Sequence, residues 1–201
     1  RRVLRRGDLA LVEDLDGAFG AEVSGLDLAQ PIEDAHVAEL RRAFARHRLL
    51  VFRDQAISTE QQVDFGTVFG ELYIHPLYQP LAEHPEVVEF RKEPNEKVNV
   101  GGAWHADLTC FKAPPGAGLL RVTDSPDTGG DTLFADMRAA YSALSTKMQA
   151  FLEGLSAIHT SAKVFGAGGK YSRQGSETSK RVTIDGSQHA RHPVVILDPD
   201  N

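Results

Sequence analysis

Apolar runs in this chain are short, and that sets the tightest limit on its architecture. Leu49-Leu50-Val51-Phe52 is typical, with charges following at once in Arg53-Asp54. A membrane-crossing helix needs roughly 20 consecutive apolar residues, and the opening Arg1-Arg2-Val3-Leu4-Arg5-Arg6 lacks the apolar centre of a signal peptide. The pattern predicts short strands and amphipathic helices around an internal core, with no membrane role. At 201 residues and 41% hydrophobic content, one domain with a sizeable core is the expectation.

Charge narrows the function classes. The net charge is -6 with acids and bases intermixed, and the one basic cluster is Arg1, Arg2, Arg5 and Arg6, so no nucleic-acid partner is expected. The single cysteine, Cys110, excludes an internal disulfide framework and is compatible with a reducing compartment, so the expected location is the cytoplasm.

Along the chain, Gly17 through Leu28 alternates short apolar stretches with glycines, which predicts strands and turns of an edge sheet. Over residues 34–47, Val37, Leu40, Phe44 and Ala45 recur at helical spacing, which predicts an amphipathic helix. Leu49-Leu50-Val51-Phe52 reads as a buried strand. Ser58-Thr59-Glu60-Gln61 has the form of a capping box ahead of Val63, Phe65, Val68 and Phe69, so a second helix begins there. Strands are expected at Val87-Val88-Glu89-Phe90, after the flexible pair Gly101-Gly102 and on to Thr109, from Leu119 to Val122 and at Val194-Val195-Ile196-Leu197. Asp127-Thr128-Gly129-Gly130-Asp131 is a turn running into Thr132-Leu133-Phe134-Ala135, and two helices are expected over 137–144 and 145–155, the second capped by Ser145. Residues 166–187 are rich in glycine, serine and charge, and read as a mobile lid. Asp198-Pro199-Asp200-Asn201 is a turn sequence that would lead into another strand.

In a strand, side chains at i and i+2 share a face, so His105 and Asp107 would present an imidazole and a carboxylate side by side. Such a pair provides two members of the two-histidine, one-carboxylate set that holds ferrous iron with coordination positions open. An H-x-D pair alone is as readily a surface strand with ordinary hydrogen bonding. Trp104 as a bulky wall, Thr109 as a small polar neighbour and the loop before them favour a site.

Several further blocks occur in one order with this pair: Gly20 to Leu28, Leu49 to Gln55, Phe69-Gly70-Glu71, His75-Pro76-Leu77-Tyr78, Trp104-His105-Ala106-Asp107, Pro114-Pro115, Gly129 to Phe134, Ala140 to Leu144 and His192-Pro193-Val194-Val195. Together they resemble the iron(II)/2-oxoglutarate-dependent oxygenases that include taurine dioxygenase and 2,4-dichlorophenoxyacetate dioxygenase. The resemblance implies a mixed α+β fold with a double-stranded β-helix, or jelly-roll, core and flanking helices. It implies that His105 and Asp107 are catalytic iron ligands, that Thr132 holds the distal carboxylate of 2-oxoglutarate through its hydroxyl, and that His75, Tyr78 and Phe165 line the substrate site. The cofactors implied are Fe(II), 2-oxoglutarate as cosubstrate and O2. The implied reaction hydroxylates a small anionic organic substrate, such as a sulfonate, an alkyl sulfate or a phenoxyalkanoate, and forms succinate and CO2. An asparagine of the taurine enzyme is replaced by Gly101 and a phenylalanine by Cys110, which argues against taurine itself.

In the family the distal iron histidine and the 2-oxoglutarate-binding arginine follow the His-Pro-Val-Val strand. The expectation is therefore that both lie beyond residue 201 and that residues 1–201 form a single, incomplete dioxygenase domain. None of His36, His47, His84, His159, His189 or His192 is expected to complete the iron site, and Lys112 and Arg121 are expected to be solvated. Two other readings stay open, a non-catalytic ligand-binding or oligomerisation module on the same fold and a metal-dependent hydrolase needing neither 2-oxoglutarate nor oxygen. Assembly as a homo-oligomer stays open as well.

Overall fold

A computed structural model describes residues 11–17, 19–93, 101–166 and 186–197. Packing divides the chain into two compact units, one combining the part up to Leu72 with Leu119–Leu144 and the other combining Tyr73–Gly118 with the part from Ser145 onward.

In the first unit, β1 (Leu11–Asp14) pairs antiparallel with β2 (Ala21–Ser24), and β2 pairs parallel with β3 (Leu50–Val51). Strands and turns were expected here, and β2 is the central strand of the three. Parallel neighbours need a crossover, and α1 (Asp34–His47) supplies it over the residues that the helical spacing indicated. Gly20 makes the entry into β2 possible. Its φ is +99°, and a side chain there would meet Leu15 Cδ1 at 3.0 Å and Leu49 Cδ2 at 3.3 Å. Helix α1 buries His36, Leu40 and Ala43 and ends at Arg48, whose left-handed φ of 64° brings its N–H to the Phe44 carbonyl.

The core of this unit joins Val23, Leu28 and Leu40 to Phe65 and Val68. Rings meet edge to face, Phe52 with Phe65 at 5.2 Å and Phe44 with Phe69 at 5.5 Å. The strand expected at Leu49-Leu50-Val51-Phe52 is shorter and only half buried, because Phe52 leaves the ladder to pack on Phe65. Helix α2 (Thr59–Gly66) starts at the expected capping box. Ser58 Oγ accepts from the Gln61 N–H at 3.1 Å, and Gln61 Oε1 accepts from the Ser58 N–H at 2.8 Å. Ser58→Ala should destabilise the folded state by about 1 kcal/mol, read in denaturant unfolding. Arg121 is not simply solvated as expected; its guanidinium donates to the Ile57 carbonyl and to Thr59 Oγ1, fastening the approach to α2.

Helix α3 (Met137–Ser142) is shorter than expected and is capped by Asp136, whose Oδ1 accepts from the N–H groups of Arg138 and Ala139. No strand forms at 119–122, where Leu120 and Val122 stand exposed with no ladder partner among the described residues.

In the second unit, α4 (Thr146–Glu153) begins at Ser145, which caps it as expected. Then β4 (Ser156–Thr160) pairs antiparallel with β5 (His189–Pro193), with α5 (Ala162–Phe165) following β4. The final strand thus lies upstream of Val194-Val195-Ile196-Leu197. Ladder pairing with β4 decides its position, so that Ala190 is buried while Ile196 and Leu197 remain exposed. Residues 87–90 form no strand either; the Leu81 N–H reaches the Val87 carbonyl and the Val87 N–H the His84 carbonyl, turn contacts that curl the chain back on itself. Most of the segment read as a lid, residues 167–185, and the closing turn at 198–201 lie outside the described residues.

The fold is mixed α and β as expected. The five described strands form one three-stranded and one two-stranded sheet and do not by themselves make a jelly roll. Among the described residues no helix is long and apolar enough to cross a membrane.

Candidate metal centre

His105 and Asp107 are not on a strand. The chain turns over residues 107–110, Leu108 adopts a left-handed φ of 53°, and the Phe111 N–H closes the turn on the Leu108 carbonyl at 3.0 Å. That conformation costs a leucine about 1–2 kcal/mol. It is offset because the Leu108 side chain is buried against Leu77 and Tyr78.

The turn still brings the two donors together, with His105 Nε2 at 3.3 Å from Asp107 Oδ1. His105 Nδ1 lies 2.7 Å from the Ala103 carbonyl oxygen, which can only accept, so Nδ1 carries a hydrogen. In the neutral ring, Nε2 is then a bare lone pair facing a carboxylate oxygen. A nitrogen lone pair and a carboxylate oxygen at that separation are both donors that one metal ion could accept. A metal-ligating histidine commonly has its other ring nitrogen held by a carbonyl in this way, so the donor set fits a divalent metal. Both side chains are exposed, 55% for His105 and 79% for Asp107, which leaves room for further ligands. Gly101 adds to that room, since a Cβ there would sit 3.4 Å from His105 Cε1.

Beside this pair lies an aromatic cluster. The His75 ring is 5.1 Å from Tyr78, and Tyr78 is 5.1 Å from Phe90 and 5.9 Å from Phe165. Burial pushes the His75 imidazole below its ordinary range, while the Asp107 carboxylate pulls it partly back up. Its Nδ1 accepts the Leu77 N–H at 3.2 Å, so the hydrogen of the neutral ring sits on Nε2.

The second unit therefore gathers His75, Tyr78, Phe165, His105 and Asp107, whereas Thr132 belongs to the first unit, exposed after the left-handed Gly129 and Gly130. Trp104, expected as a bulky wall, is 71% exposed. Burial raises the Cys110 thiol, which keeps it protonated and unsuited to bind metal as a thiolate. Among the described residues, no three histidine, cysteine, aspartate or glutamate side chains are placed to hold one metal ion together, so His105 and Asp107 stand as a pair. His192, expected only not to ligate iron, makes two long-range contacts. Its ring nitrogen Nε2 lies 2.9 Å from the Thr109 carbonyl and 3.0 Å from that of Phe111, contacts more than 80 residues away that no local pattern announces.

Residues 11–201 match the taurine catabolism dioxygenase TauD/TfdA family, and the chain belongs to it. An alkylsulfatase of Acinetobacter baylyi is 32% identical over 92% of this chain and 58% of its own length. An (S)-phenoxypropionate/alpha-ketoglutarate-dioxygenase of Sphingobium herbicidovorans is 36% identical over 74% of this chain and 53% of its own. The crystal structure of a taurine dioxygenase from Burkholderia xenovorans superposes with a TM-score of 0.73 at 30% identity, covering 94% of this chain and 60% of that one. The chain thus spans somewhat more than half the length of these relatives.

Proposed function

We propose that this chain forms part of an iron(II)/2-oxoglutarate-dependent dioxygenase that hydroxylates a small anionic organic substrate, a sulfonate or alkyl sulfate. The observation that carries the reading is the approach of His105 Nε2 to Asp107 Oδ1 with the histidine tautomer set by the Ala103 carbonyl. The alkylsulfatase and taurine dioxygenase relatives support the substrate class, and the 2-oxoglutarate-dependent relative supports the cosubstrate. Membership of the family also supports a jelly-roll core for the complete domain.

In this reading His105 and Asp107 hold ferrous iron, which when bound supplies oxygen activation coupled to oxidative decarboxylation of 2-oxoglutarate. The Ala103 carbonyl keeps Nε2 of His105 free to ligate. The position of Thr132 in the family's motif supports a role for its hydroxyl as a donor to the distal carboxylate of 2-oxoglutarate, which a neutral donor can fill without competing for the metal. His75, held neutral with its hydrogen on Nε2, donates to an oxygen of the substrate anion, while the Tyr78 and Phe165 rings shield the substrate from water. Overall one oxygen atom enters the substrate C–H bond, and the other enters succinate as CO2 leaves. Hydroxylation at the carbon bearing sulfur or sulfate oxygen gives a product that collapses to a carbonyl compound and sulfite or sulfate. A phenoxyalkanoate is the second reading, favoured by the phenoxypropionate relative and by the edge-on rings around Tyr78.

The test is anaerobic addition of iron(II) and 2-oxoglutarate to the full-length protein. A weak visible charge-transfer band is expected, followed by succinate once oxygen and an alkyl sulfate or sulfonate are admitted. No band and no succinate would overturn the proposal in favour of a non-catalytic module. Substrate turnover without oxygen or 2-oxoglutarate would point to a hydrolase.

A further inference from the structure

We propose that His192 is a positioning residue that clamps the turn carrying Asp107; this rests on the reading of His105 and Asp107 as metal ligands. Its Nε2 is within hydrogen-bond distance of two carbonyl oxygens, those of Thr109 and Phe111, at 2.9 and 3.0 Å. Carbonyls only accept, so Nε2 carries a hydrogen and donates it, shared between the two. These carbonyls flank the end of the turn that Leu108 opens in a left-handed conformation and that the Phe111 N–H closes.

His192 is itself held. It lies in β5 opposite Ala157 of β4, and the His159 ring packs edge-on against it with centroids 5.2 Å apart. The turn is thereby fastened on two sides, by the buried Leu108 side chain and by a donor projecting from a hydrogen-bonded ladder. Asp107 is itself exposed and begins the turn, so its carboxylate has no packing of its own to hold it near His105. A ligand pair gains affinity when its geometry exists before the metal arrives. His192 provides that order through backbone carbonyls rather than through the ligand side chain.

Two variants of the full-length protein separate this role from simple packing. His192→Leu keeps the volume and removes the donor, and His192→Gln keeps an amide N–H. In the metal-free proteins, amide exchange over residues 107–111 should accelerate in His192→Leu and stay close to wild type in His192→Gln. Anaerobic Mn(II) affinity, followed by electron paramagnetic resonance, should fall about tenfold in His192→Leu and stay within about twofold in His192→Gln, the size expected for a group supporting a metal ligand. Wild-type exchange and affinity in a folded His192→Leu protein overturn the clamp while leaving the metal reading intact. Both variants losing affinity equally would make the residue a packing element and also overturn it. Wild type that takes up no Mn(II) overturns the metal reading and this proposal together.

Discussion

Replacing Asp107 by alanine is expected to weaken divalent-metal binding at least about 100-fold, beyond the range that changes to supporting groups produce, and to abolish succinate formation. The fold should survive, because the Asp107 side chain is 79% exposed and makes no core contact. Unchanged thermal unfolding alongside lost Mn(II) affinity is the expected pair of results; unchanged affinity would reject the ligand assignment. A second, metal-free readout comes from His75. The Asp107 carboxylate raises the His75 imidazole against the larger lowering by burial, so its removal should move His75 titration to still lower pH in an NMR experiment.

The largest effect on stability is expected from Leu40→Ala. Leu40 is fully buried between β2 and the Phe65–Val68 segment. Truncation there should cost about 3 kcal/mol, within the range for leucine-to-alanine changes that leave a cavity. Domains of this kind have only about 5–15 kcal/mol in total, so a clear fall in the midpoint of denaturant unfolding is the check. A loss below about 1 kcal/mol would mean that the surrounding helices collapse into the space.

Local signals were legible wherever the physics was local. The span of α1 follows from Val37, Leu40 and Phe44, and both hydrogen bonds of the capping box at Ser58 and Gln61 involve groups three residues apart. Ser145 as a cap is the same case. Strands were harder, because a strand exists only through a partner. An apolar run at Leu119-Leu120-Arg121-Val122 finds none among the described residues, while His189–Pro193, polar in composition, becomes β5 because β4 pairs with it. The left-handed Leu108 could not be anticipated either, since a buried leucine in that conformation depends on Leu77 and Tyr78 packing from elsewhere in the chain.

At the candidate site, residue identity sets the available chemistry: an imidazole and a carboxylate two residues apart, in a chain that belongs to the TauD/TfdA family. Tertiary structure alone decided how the pair meets. A turn does it in place of the expected strand, with His105 oriented by the Ala103 carbonyl and the turn held by His192 from β5. The physical reason is that donor type is a property of single residues, whereas donor orientation depends on hydrogen bonds and burial supplied by residues far apart in the chain.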